Sequence, residues 1–149
     1  MSATNVKGKQ VLLRRSAVAL FEAFGDLSSF TATLPEEYKD KVRVTRDSVS
    51  SEAAGTHIGV RISERTPYSR IVLSSDEATP IKFDIIFHLE QVDFSSSLLQ
   101  LEINAELNMM LKMMIGNKLQ EAVDKITEQI EKSVNEGVVP EKMSDIKFS

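Results

Sequence analysis

Met109-Met110-Leu111-Lys112-Met113-Met114-Ile115 opens the stretch around which the chain is organised, a helix expected from Asn108 to Val134. Apolar residues in this first half cover most of the helix circumference. From Leu119 they narrow to Leu119, Ala122, Val123, Ile126 and Ile130, spaced three and four apart, the one-sided pattern of an amphipathic helix. Such a helix lies against another layer along its whole length. Its methionine end is expected to be enclosed on more than one side.

That other layer is legible upstream, where the period is two. Leu99, Leu101, Ile103, Ala105 and Leu107 alternate with Gln100, Glu102, Asn104 and Glu106, and Phe83, Ile85, Phe87 and Leu89 with Asp84, Ile86, His88 and Glu90. Further back, Arg70 to Ser75, then Ile58, Val60 and Ile62, then Val49, Ser51 and Ala53, then Val42 and Val44 give four more strands, with turns at Asp76 to Pro80, Pro67, Gly55 and Asp47-Ser48. Six consecutive strands with short turns predict an antiparallel meander, apolar on one face and solvated on the other. A first strand is expected over Val6 to Arg14. Ser16 is placed to cap a helix with Val18, Leu20, Phe21 and Phe24 on its apolar side, ended by Gly25. A second short helix is expected through Phe30 and Leu34, stopped by Pro35. The long helix, about 40 Å at 1.5 Å per residue, is large enough to cover the apolar face. The expectation is an α+β fold: a curved antiparallel seven-stranded sheet, two short helices after strand 1 and a long C-terminal helix packed on the sheet.

With 149 residues, one domain over 1–136 is expected, burying about 70% of its unfolded surface. Residues 137–149, rich in charge but with Ile146 and Phe148, read as a mobile tail. The hydrophobic share of 42% and charged share of 27% are those of a globular chain. A net charge of −4 argues against nucleic acid as partner. The chain has no cysteine, which excludes disulfides, thiol nucleophiles and thiolate metal sites. No signal peptide and no transmembrane run are read, so a cytoplasmic protein is expected.

The order β-αα-ββββββ-α resembles the helix-grip fold of the START-like (SRPBCC) superfamily, which includes birch-pollen-allergen-like proteins, START lipid-transfer domains, polyketide cyclases and chaperone activators. Ser16-Ala-Val-Ala-Leu-Phe-Glu-Ala-Phe-Gly-Asp26 looks like that family's helix after strand one. Ala105-Glu-Leu-Asn-Met-Met-Leu-Lys-Met-Met-Ile-Gly116 looks like the start of the grip helix in a small bacterial branch of it. The resemblance covers nearly the whole chain. It implies a cavity between the sheet and the long helix, and it implies no single reaction.

Phe24, Phe30, Val60, Ile62, Phe83, Ile85, Phe87, Leu101, Ile103, Met110, Met113 and Met114 are the expected walls of such a cavity. Methionines fill irregular spaces and line promiscuous sites, and ordinary core packing stays open for the same residues. Glu64 continues the parity of Ile58, Val60 and Ile62 and so points inward as a possible polar cavity residue. An ion pair with Arg65 or Arg70, or a bulge, would account for it equally. His57 and His88 are placed on the surface, on different segments with no spaced carboxylate partner, so no metal site is read. No nucleophile elbow or phosphate-cradling loop occurs. No catalytic set, metal or cofactor is assigned. The expected function is binding of a hydrophobic small molecule or lipid in this cavity, by a monomer or weak homodimer. The alternatives are a polyketide-cyclase-like enzyme using Glu64, His57 or Tyr68, and a chaperone-activator-like interaction module.

Overall fold

The structure is a computed structural model and describes residues 2–28, 41–53 and 55–135. Ten elements follow in chain order: β1 (Ser2–Lys7), β2 (Val11–Leu13), α1 (Ala17–Phe24), β3 (Val42–Val44), β4 (Ser48–Ala53), β5 (Thr56–Thr66), β6 (Arg70–Ser75), β7 (Phe83–Asp93), β8 (Ser96–Leu107) and α2 (Met109–Asn135). The second short helix expected around Phe30 and the tail from 137 lie outside the described residues.

The six-strand meander is present. The sheet order is β1-β8-β7-β6-β5-β4-β3, every pair antiparallel, with β2 also on β8. The first strand begins at Ser2 rather than Val6 and is broken between Lys7 and Val11. Counting its halves as one strand gives seven.

The break is where the helix lands. Gly8 keeps the ladder, its N–H donating to the Leu101 carbonyl at 2.9 Å. A Cβ at Gly8 would lie 2.7 Å from Val123 Cγ1 and 3.0 Å from Thr127 Oγ1, so only glycine admits α2 at this distance. Polar side chains then fasten the helix lengthwise. The Gln120 amide donates to the Lys7 carbonyl at 3.0 Å, and the Asn135 amide donates to the Leu12 carbonyl while its oxygen accepts from Arg14 N–H, both at 2.7 Å.

The core lies between the concave sheet face and the helices. Leu13, Ile71, Leu99, Leu101, Leu107 and Val123 are fully buried, joined by Leu20 and Phe24 of α1. Ser16 caps α1 as expected, its hydroxyl accepting from Ala19 N–H at 3.2 Å, and Gly25 N–H closes the helix on the Phe21 carbonyl at 2.9 Å. Asn108 caps α2 in the same way, accepting from Leu111 N–H at 2.8 Å. Val18 and Ile126, read from the sequence as core-facing, are exposed. In α2 the buried contacts are made by Val123 and Thr127.

Candidate functional site

Cross-strand register assembles the apolar wall. Ile62 pairs with Leu73, Leu73 with Ile85, Ile85 with Ile103, and Ile103 with Val6. One row of branched aliphatic side chains therefore crosses five strands on the concave face. Beside it, Ile71 pairs with Phe87 and Phe87 with Leu101. The Phe24 ring packs on Phe87 with centroids 5.4 Å apart. Toward the β3 edge the wall continues as Val44, Val49 and Val60, in register and half-buried. Of the expected residues, Phe24, Val60, Ile62, Phe83, Ile85, Phe87, Leu101 and Ile103 are brought to this face. Phe30 lies outside the described residues.

The helices cover this wall unequally. α2 packs on β1, β2 and β8, and α1 packs on β6 and β7. Among the described residues neither helix makes extended contact with β3, β4 or β5. The half-burial of Val60, Ile62 and Ile85, against the near-complete burial of Leu99, Leu101 and Ile103, follows from that offset.

The methionine end of α2 is not enclosed, which corrects the expectation for Met110, Met113 and Met114. Their exposures are 66%, 82% and 62%, and that of Met109 is 80%. In the first half of the helix only Leu111, Ile115, Gly116 and Leu119 reach partial burial, and the methionines are left exposed. An apolar pattern over most of the circumference was read as enclosure on more than one side, whereas only part of it is covered.

Glu64 is also corrected. A bulge between Ile62 and Glu64 shifts the register, so that Ile62 opposes Leu73 but Glu64 opposes Val72. Glu64 thus moves to the solvated face, where it takes Thr66 Oγ1 at 2.7 Å and Arg70 Nε at 3.4 Å. Arg65 inherits the inward phase, opposite Ile71. Its guanidinium reaches the end of α1, donating to the Gly25 carbonyl from Nε at 3.1 Å and Nη2 at 2.8 Å, with Asp47 at 2.6 Å. It caps α1 from the sheet.

The histidines are surface residues, but both have carboxylate partners that sequence spacing did not show. On the solvated face His57 lies between two of them, with Glu52 at Nδ1 and Asp76 at Nε2, the latter at 2.8 Å. Glu52 stands directly across the β4–β5 ladder. Asp76 comes from the β6–β7 loop, and its other oxygen accepts from the buried Thr79 hydroxyl at 2.7 Å. Gly59 makes room, because a Cβ there would sit 2.0 Å from Asp76 Oδ2 and 2.9 Å from His57 Nε2. The hydrogen bond to Asp76, then that to Glu52, raises the His57 pKa. The bond from His57, then that from Thr79, lowers that of Asp76. With both ring nitrogens committed, His57 has no free lone pair for a metal or a substrate proton. It ties the β6–β7 loop to β5. Similarly, His88 Nε2 meets Glu102 at 2.8 Å, which lowers the Glu102 pKa. A cross-strand Glu–His pair five residues apart around a Gly turn was the available signal for Glu52 and His57. Asp76 had none in the sequence.

Tyr68 sits in the β5–β6 turn at φ 65°, half exposed, its ring edge-on to Phe21 at 5.6 Å. Glu64, His57 and Tyr68 therefore do not converge. Among the described residues no group of three His, Asp or Glu side chains is arranged to hold a metal ion. No described helix is long and apolar enough to cross a membrane.

A meander gripping one C-terminal helix, with a short helix after the first strand, is a helix-grip arrangement. Solved structures with this fold align along most of the chain. A START superfamily protein from Mycobacterium smegmatis matches at TM-score 0.58 and 14% identity, covering 89% of this chain and 97% of that one. A point mutant of norcoclaurine synthase from Thalictrum flavum, in complex with a transition-state analogue, matches at 0.65 and 10%, covering 93% and 98%. The Aha1 dimer from Colwellia psychrerythraea matches at 0.62 and 10%, covering 93% and 100%. No family model and no curated protein matches the chain. At these identities the likeness is one of fold.

Proposed function

We propose that the protein binds a hydrophobic small molecule or lipid against the concave sheet face. The observation that carries this is the offset of the two described helices: both pack toward β6, β7, β8, β1 and β2, while the apolar row continues half-buried through Val60, Val49 and Val44. An apolar wall with partial cover is what a ligand of that chemistry completes, each buried methylene contributing about 0.8 kcal/mol. The fold likeness supports the same reading. Carriage or sensing is favoured over catalysis, because the bulge sends Glu64 outward and His57 is held between two carboxylates.

Native mass spectrometry of the purified protein, followed by organic extraction, tests this. An apolar compound should co-purify, or an apolar fluorescent probe should bind to emptied protein. Ile62→Trp, which fills the half-covered part of the wall, should abolish either signal while leaving a cooperative melt. A wild-type protein that carries nothing and takes up no probe would refute the proposal.

A further inference from the structure

We propose that the N-terminal half of α2 is a docking surface for an anionic lipid bilayer. Four methionines sit there with 62% to 82% of their surface exposed. At 3.6 residues per turn, Met109, Met113, Met110 and Met114 share an arc of about 140°. Lys118 lies about 40° beyond one edge of that arc and Lys112 about 60° beyond the other. Leu111, Ile115 and Leu119 point elsewhere on the helix and are the partly buried side. The surface is thus an apolar strip with Lys118 at the boundary between Met114 and Leu111, and with Lys112 farther round, between Leu119 and Gly116 on the partly buried side.

Charge selects the partner. Residues 108–120 contain Lys112 and Lys118 and no acid, whereas residues 121–131 contain Glu121, Asp124, Glu128 and Glu131. The whole chain carries −4, so the acid-free stretch 108–120 with its two lysines, which ends at Glu121, is a local exception. A strip of flexible apolar side chains with cationic edges matches the acyl–headgroup boundary of an anionic membrane. The apolar part enters the boundary, and the ammonium groups stay level with the phosphates. Methionine suits this contact because its unbranched side chain conforms to a fluid surface. The surface is separate from the bound-ligand reading, since these four exposed methionines form no part of the apolar wall.

The test is flotation of the full chain with vesicles of phosphatidylcholine alone and of phosphatidylcholine and phosphatidylglycerol in equal parts. Binding is expected to the anionic vesicles only and to fall with added salt. Lys112→Gln and Lys118→Gln should each lower the partition coefficient about fivefold. Replacing all four methionines with Gln should abolish binding while the melt stays cooperative. The chain has no tryptophan, so Met113→Trp is a single reporter. Its emission should shift to the blue with anionic vesicles, while Phe94→Trp, at a 92% exposed hairpin position, should not shift. Equal binding to both vesicle types, no binding to either, a shift of both reporters, or self-association through the methionine face without vesicle binding would each overturn the proposal. Ligand extraction from the Gln variant separates the two readings, because its wall against the sheet is unchanged.

Discussion

Gly8→Ala is the substitution on which the packing argument is most exposed. One added methyl would lie 2.7 Å from Val123 Cγ1 and 3.0 Å from Thr127 Oγ1. Carbon atoms rest at about 3.5–4.0 Å, so α2 or β1 must yield by roughly 1 Å. Neither is free to do so. Val123 and Thr127 are fully buried, and Gln120 and Asn135 fasten the helix on both sides of the contact. Overpacking of this kind costs about 1–3 kcal/mol. The reduced freedom of the unfolded chain returns about 0.4–1 kcal/mol. A net loss of about 1–2 kcal/mol is expected, and in a chain of this size each lost kcal/mol lowers Tm by about 2–4 °C. Urea unfolding followed by circular dichroism measures it. The decisive step is the cycle with Val123→Ala, which deletes the struck methyl and alone costs on the order of 2 kcal/mol. In that background Gly8→Ala should be close to neutral, giving a coupling of about 1 kcal/mol. A Gly8→Ala protein as stable as wild type, or a cost equal in both backgrounds, would show that the helix does not seat on Gly8.

Gly116→Ala should act oppositely, because the added Cβ meets only Lys112 Cγ at 3.6 Å. A gain of about 0.5–1 kcal/mol is expected in the same assay. His57→Gln should lose stability in a pH-dependent way. The folded pKa of His57 is raised, so its contribution is complete below the ordinary value of about 6.5 and fades as pH rises through the folded value. The lowered pKa of Asp76 means its own contribution is complete above about 3.9 and fades below. The gap between wild type and His57→Gln should therefore be widest between those limits and narrow toward alkaline pH. Gly59→Ala, which displaces Asp76, should remove the same pH-dependent increment, and a flat difference across pH would count against the tether. Glu64→Gln should leave any co-purifying apolar ligand in place, and its loss on extraction would restore an inward role for this carboxylate.

The order of elements and the concave face were legible because they rest on period. Phe83, Ile85 and Phe87 face Ala105, Ile103 and Leu101, and two long alternating runs joined by a short turn admit few other registers. What period did not carry was phase. Beyond Ile62 the chain runs Ser63-Glu64-Arg65-Thr66, with no apolar residue to mark which side is inward, so an inserted residue passes unseen and exchanges Glu64 for Arg65. Cover was illegible for a related reason. The methionine run is apolar over most of its circumference, and such a run states what surface a helix offers without stating how much a sheet will accept. His57 was missed because Asp76 reaches it from the β6–β7 loop, 19 residues away.

These misses bear on how the fold divides its labour. The sheet presents one continuous apolar face, and among the described residues two devices set how much of it is sealed. Gly8 draws α2 close over β1, β2 and β8, and Arg65, turned inward by the bulge, holds the end of α1 over β6 and β7. Gly8 acts at the β1 edge, whereas Arg65 stands on β5 and ties the end of α1 to Asp47 of the β3–β4 turn. The β3–β5 side is joined to the rest through β5, whose first half is held by the Glu52–His57–Asp76 contacts on the opposite face. Polar links therefore brace this part of the sheet from outside, where they take no space from the apolar wall. Val44, Val49 and Val60 stay half-buried while their strands are braced from behind, the observation on which the proposed ligand binding rests. A wall that must stay apolar and partly open to a ligand would need that arrangement.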